Sequence, residues 1–334
     1  MIFHPGILAL LLGSGLISAM LCISACHGMQ IIRHWDIRSG SERQLAMERR
    51  TYLVSTVMTY ALGFQIFSLF LFIYTADAFS PLFVVAMCAA GSLKVNGLGY
   101  PALIGKIINC LLAGLWLIVN AADNKAPDYP LIRTKYWLLL LISPLMLAET
   151  FMQSGYLLSL RPNVITSCCA LSFSAESNTI LSNLLSLPRF WSQIAFIVSM
   201  IVTLTLGVFV FLKNKGALLF SLASLFHFLL SINALISFVS TYIYELPTHH
   251  CPFCLLHQEY GSIGYPLYGA MLVSVVAGMG VGVIHPFRAV ASLKEAIPLI
   301  QKRLALVSVV SALVFAATAR SEEHTSELQS RLHL

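Results

Sequence analysis

This sequence predicts an all-α fold, a polytopic membrane helical bundle of about eight transmembrane helices with short re-entrant or interfacial segments. Three observations predict it. Of 334 residues, 58% are hydrophobic and only 10% are charged, whereas soluble domains carry about 25% charge. The mean hydropathy is +0.82. The apolar residues also gather into runs of about 20, the length needed to cross ~30 Å of hydrocarbon. The 20 Lys and Arg against 14 acids are too few and too scattered for a nucleic-acid surface, so the partner the composition demands is the lipid bilayer.

Taken in order, residues 6–26 form an uncharged run just long enough to span, with no small-residue cleavage site, and read as a retained helix. A polar stretch from His27 to Arg50 holds Arg33, Arg38, Arg43, Arg49 and Arg50, and a second span covers 51–76. Residues 78–100 contain an apolar piece too short to cross, broken by Gly91, Gly97 and Gly99, which fits a re-entrant or interfacial segment. Further spans are expected at 101–122, 136–158, 190–212, 217–244 and 266–284, with an eighth run at 304–319. Residues 1–319 read as a single transmembrane domain. Residues 320–334 begin abruptly at Arg320 with Ser-Glu-Glu-His-Thr, resemble a translated sequencing adapter, and are set apart from the fold. No repeat with a period of 20–50 residues is visible, and no loop exceeds about 30 residues.

Charge orients the bundle. The loops after spans one, three, five and seven carry 14 Lys and Arg against 4 on the other side, Lys94, Lys106, Arg161 and Arg189. The basic side is cytoplasmic by the positive-inside rule, which puts the N-terminus and Cys88, Cys168, Cys169, Cys251 and Cys254 at the extracytoplasmic face. Disulfides persist in that compartment, so clustered thiols there point to redox, cross-linking or metal chemistry. The expected location is a bacterial inner membrane.

The densest group of reactive side chains is His249-His250-Cys251-Pro252-Phe253-Cys254-Leu255-Leu256-His257. The Cys251/Cys254 spacing sets two thiols about 5–6 Å apart on one helical face. Pro252 suits the first helical position, which would seat Cys251 at a helix start where partial positive charge favours thiolate. One straight helix from 251 to 284 would measure about 51 Å, too long for a single span, so a break is expected at Gly261, Gly264 and Pro266. His257 shares the thiol face as a candidate base. The adjacent pair Cys168-Cys169 is the second candidate site, disposed to seek other thiols or soft cations. Cys88 is a third, weaker participant. Glu149 and His227, ionisable groups inside spans, are the candidate cofactor-contacting residues, and Glu149 could also hydrogen-bond to Gln65 or Asn109. Phosphate-cradling, Ser/His/Asp and HExxH patterns are absent.

At Cys251-Pro252-Phe253-Cys254 the chain resembles the bacterial vitamin K epoxide reductase family and, more distantly, the quinone-linked disulfide generators of the bacterial periplasm. The resemblance implies a membrane thiol–disulfide oxidoreductase. In it a quinone cofactor takes electrons from Cys251/Cys254, while the loop cysteines Cys168/Cys169 exchange with a periplasmic thioredoxin-like protein. The chain departs from those families in its vicinal loop pair and its eight spans. Cys168-Cys169 is also similar to the vicinal pair of mercury-transport membrane proteins. The same cluster therefore keeps open an alternative, a soft-metal protein binding or carrying Cu, Zn or Hg through Cys88, Cys168, Cys169, His249, His250, Cys251 and Cys254. A third reading makes the cysteines permanent structural disulfides.

Overall fold

The computed structural model describes residues 3–35, 41–84, 86–161, 164, 189–243, 251–257 and 261–332, without the side chains of 43, 189, 242 and 320–332. The described residues are helical and form no β-sheet. Eight of the helices are long and apolar enough to cross a membrane. In chain order the helices are α1 (Pro5–His34), α2 (Glu42–Ala78), a short α3 (Ala89–Leu93), α4 (Gly99–Asp123) and α5 (Ile132–Leu158). They continue with α6 (Arg189–Lys213), α7 (Ala217–Ala234), α8 (Gly264–Val283) and α9 (Ala296–Leu332). Helix α7 runs on through a π turn, Leu235–Val239, and a last α turn, Ser240–Ile243.

Helix ends follow local chemistry. The His4 side chain accepts a bond from the Gly6 N–H at the start of α1, where Pro5 needs no partner. Helix α1 then persists to His34 and α2 begins at Glu42, so the polar stretch expected between 27 and 50 is mostly helical. The reason is composition: Gln44, Leu45, Ala46, Met47, Glu48 and Arg49 are all strong helix formers. Ser41 caps the start by accepting from the Gln44 N–H at 3.3 Å. At 37 residues, α2 is about 55 Å long, so its first polar turns run past the hydrocarbon thickness. Residues 78–100 hold only a 3-10 turn at Ser80–Leu82 and the five-residue α3, in keeping with the broken segment expected there.

The chain divides into two compact units. The first comprises residues 1–75, 96–161 and 286–299. In it α5 packs against both α1 and α4, around a core of Ile17, Leu21, Met58, Leu62, Trp116, Tyr136, Leu139 and Met146. Two ion pairs are enclosed. Lys106 meets Glu149 at 2.9 Å and Lys135 meets Asp123 at 2.8 Å, each side chain no more than 1% exposed. Gln65 and Asn109 donate to the other oxygen of Glu149 at 2.5 and 3.3 Å. Such charges are tolerated inside a bundle only when paired and hydrogen-bonded. Neither Lys106 nor Lys135 is therefore a loop charge, which corrects the tally above. Without them the imbalance becomes 13 against 3, in the same direction.

The second unit comprises residues 76–95, 162–285 and 300–334. Helix α7 packs between α6 and α8, with Val210, Ala217, Phe220, Val281 and Ala305 at one core. The α7/α8 approach depends on Gly278 and Gly282. A Cβ at Gly278 would stand 2.2 Å from Ser224 Oγ, and one at Gly282 2.4 Å from Ser221 Cβ. Small residues four apart let two membrane helices close to backbone contact. Hydroxyls then tie the helices together: Ser221 donates to the Met279 carbonyl, and Ser274 and Ser308 donate to each other's carbonyls at 3.0 and 2.8 Å.

Candidate thiol site

Every described part of the sulfur cluster belongs to the second unit. Cys88 is the residue before α3, in extended conformation. Cys251 opens a tight turn that leads into a single 3-10 turn, Cys254–Leu256, closed by bonds from Leu256 N to Phe253 O and from His257 N to Cys254 O, both 3.1 Å. The expected α-helix bearing the two cysteines is not formed. Its bonds are i to i+3, and His257 already has extended backbone with ψ 149°. Without a helix at Cys251 there is no macrodipole to sharpen that thiol. The break before α8 occurs as the glycines suggest, with Gly261 and Ser262 in left-handed conformation at φ +61° and +56°. That pair reverses the chain into α8 at Gly264.

The three sulfurs converge. Cys88 Sγ lies 3.5 Å from Cys251 Sγ, and the sulfurs of Cys88, Cys251 and Cys254 all lie within 4.8 Å of one another. All three residues are buried, Cys88 at 0%, Cys251 at 1% and Cys254 at 9% exposure. Two polar contacts hold the walls. Tyr268, in the first turns of α8, donates to the carbonyl of Pro252 between the paired cysteines. Asp77, at the end of α2, accepts from the Ala89 N–H at 2.9 Å and binds His257 Nε2 at 3.0 Å. An ionised carboxylate can only accept, so His257 donates to Asp77 through Nε2–H. One carboxylate thus fastens the residue after Cys88 to the residue three beyond Cys254.

Of the residues singled out in the sequence, the structure brings together Cys88, Cys251 and Cys254, with His257 fixed beside them. Cys168, Cys169, His249 and His250 lie outside the described residues. Glu149 belongs to the first unit, where Lys106, Gln65 and Asn109 occupy its oxygens. His227 belongs to the second, bonded to Ser199 at 2.9 Å and stacked on Phe196 with ring centroids 5.5 Å apart. A cavity of about 680 Å³ lies in the first unit between Trp35, Tyr52, Tyr60, Asn120 and Lys135, and no thiol lines it.

No protein-family model, curated protein or solved structure matches this chain.

Sequence reasoning missed Asp77 altogether and ranked Cys88 low, although a signal for Cys88 is present. Cys88-x-x-Gly91-x-Leu93 precedes Gly99-Tyr100-Pro101, and Cys251-x-x-Cys254-x-Leu256 precedes Gly264-Tyr265-Pro266. Each Gly-Tyr-Pro is the opening of a long helix, α4 or α8, and each follows the second long helix of its half of the chain. Cys88 and Cys251, 163 residues apart, thus stand at the start of stretches with the same order of Cys, Leu and Gly-Tyr-Pro. Among the described residues four helices long and apolar enough to cross a membrane lie between the two stretches. Gly91 follows Cys88 at the spacing at which Cys254 follows Cys251.

Proposed function

We propose that this protein is a membrane thiol–disulfide oxidoreductase whose centre is the Cys88/Cys251/Cys254 trio and whose electron acceptor is a quinone dissolved in the bilayer. One observation carries the reading: three buried sulfurs within 4.8 Å, two of them 3.5 Å apart. A disulfide needs about 2.05 Å, so Cys88 and Cys251 are about 1.5 Å from bonding distance.

The chemistry balances simply. Two thiols give up two protons and two electrons and form one S–S bond, while the quinone takes up both protons and both electrons and becomes a quinol. Cys251 is the shared member, within reach of Cys254 through the tight turn and of Cys88 across the cluster, so a disulfide formed on one pair can pass to the other by thiolate attack. The attacking species is a thiolate, and His257, held by Asp77 through Nε2–H, is assigned as the base that receives its proton at Nδ1. Cys254, the most exposed of the three, is the point of exchange with outside thiols. Cys168 and Cys169 are the proposed relay to a periplasmic thioredoxin-like partner.

The test uses the full chain in lipid nanodiscs, reduced, freed of reductant under anaerobic conditions and given a soluble quinone. Quinol formation and alkylatable thiols are followed together. Two thiols should disappear for each quinol formed, and neither change should occur in Cys251→Ser. A constant thiol count, or undiminished quinol formation in Cys251→Ser, would refute the assignment.

A further inference from the structure

We infer that the cavity at one end of the first unit is a binding site for an anionic phospholipid with a hydroxylated headgroup, of the phosphatidylglycerol type. The inference uses none of the thiols and does not depend on the redox reading.

Position comes first. The cavity, about 680 Å³, has the size of a small-molecule site, about 300–1,000 Å³. Among its lining residues Trp35 closes α1, Asn124 closes α4 and Lys135 stands in the first turn of α5, so the walls meet where three spans end. Along α2 the lining runs from Glu48 to Tyr60 at intervals of three and four residues, a stripe about 18 Å long. Tryptophan and tyrosine at span ends sit at headgroup level. From Tyr60 the same face of α2 continues through Phe64 and Phe67, all three exposed. An amphipathic ligand would keep its polar end in the cavity and lay its chain on that apolar stripe.

Charge selects the head. Lys135 is a buried part of the wall, and Asp123 and the Asn120 carboxamide fix its ammonium at 2.8 and 3.3 Å. Asn120 in turn donates from α4 to Thr59 of α2 at 3.1 Å, which gives the cavity an ordered polar floor. Arg49 stands exposed on the lining, and the exposed Arg133 donates to the carbonyl of Trp35 at 2.9 Å. Of the acids beside them, Asp123 is paired with Lys135, and Glu48 accepts from Gln44. The surplus is cationic and suits a phosphodiester, which a guanidinium grips through two parallel hydrogen bonds. A choline head fits worse, because the Lys135 ammonium already stands over the Tyr129 ring at 5.8 Å and a second cation there would meet like charge. The buried hydroxyls of Thr51 and Ser55 on the α2 wall match the hydroxyls of a glycerol head.

The test is native mass spectrometry of the delipidated full chain in detergent, titrated with dioleoyl phosphatidylglycerol or dioleoyl phosphatidylcholine, without quinone. One phosphatidylglycerol per chain should bind at least tenfold more tightly than phosphatidylcholine. Arg49→Gln should weaken phosphatidylglycerol about fivefold, the share of one basic side chain near a headgroup, and leave phosphatidylcholine unchanged. Thr56→Trp, at an exposed position of the lining, should fill the cleft and remove the preference. Arg303→Gln, on α9 and outside the lining, should leave it intact. Equal affinity of the wild-type chain for the two lipids would overturn the inference whatever the variants do. So would an equal loss in Arg303→Gln, or displacement of the lipid by glycerol 3-phosphate at the same concentration, which would reassign the cavity to a water-soluble phosphate ester. None of these outcomes bears on the redox reading, which is scored by quinol and thiol counts alone.

Discussion

Asp77 shows how a single exposed-looking carboxylate organises a site. Its one oxygen receives the Ala89 N–H and His257 Nε2, so it sets the distance between two turns and fixes the tautomer of a ring. Replacement by Asn retains an acceptor for Ala89 but loses the charge that orients the imidazole. Asp77→Asn and His257→Gln should each slow thiol oxidation by about a hundredfold, the low end of what a positioned base contributes. The double variant should be no slower than the worse single one, because the pair acts as a unit. Stopped-flow measurement of thiol loss checks this, and additive losses would separate the two residues.

The buried pair Lys106/Glu149 makes a different residue-scale prediction. Glu149→Gln leaves the Lys106 ammonium with the Ser68 hydroxyl at 3.1 Å and the Phe72 ring. Breaking one partner of a buried pair costs about 3–5 kcal/mol. A thermal-shift assay in detergent should therefore show a clear fall in stability. Lys106→Met with Glu149→Met should recover part of the loss, since no uncompensated charge remains.

At the level of elements, the α7/α8 contact depends on absence of side chain. Ser224 cannot swing far from Gly278, because its hydroxyl donates to the Phe220 carbonyl at 2.8 Å. Gly278→Val should therefore push α8 from α7 and cost about 1–3 kcal/mol. Tyr268 sits on the same helix and holds the Pro252 carbonyl, so the displacement should also loosen the thiol trio. Reactivity of Cys254 towards a maleimide should rise in this variant. The helices were legible in the sequence because their signal is local: hydropathy over about 20 residues set every span, and the errors fell at polar ends such as Glu42–Arg50, where helix propensity outruns hydrophobicity. The turn carrying Cys251 and Cys254 was not legible. Proline at a first helical position and proline in a tight turn look alike until the following residues choose their bonds.

For the whole molecule, the same distinction separates what sequence revealed from what it hid. The Cys251/Cys254 pair was visible as a local motif, while Cys88 and Asp77 join it through pairings 163 and 180 residues long. The order of Cys, Leu and Gly-Tyr-Pro that the two stretches share is a weak local signal because its spacing differs, 11 residues from Cys88 to Gly99 against 13 from Cys251 to Gly264. The Lys/Arg imbalance predicts that the thiols face the exterior. In a chain stripped of native cysteines, a cysteine at Asn124 should be shielded from an impermeant maleimide in intact cells, and one at Arg161 should be labelled. The reverse pattern would put the thiols in the cytosol.

The account rests on one reversible event among three sulfurs. Mass spectrometry of acid-trapped, alkylated protein, prepared before and after quinone addition to the same reduced sample, reads it directly. The account predicts that Cys251 is alkylated in the reduced sample and linked to Cys88 or Cys254 in the oxidised one, with reductant restoring the first state. A Cys251 that remains alkylated in both samples, or linked in both, would contradict it.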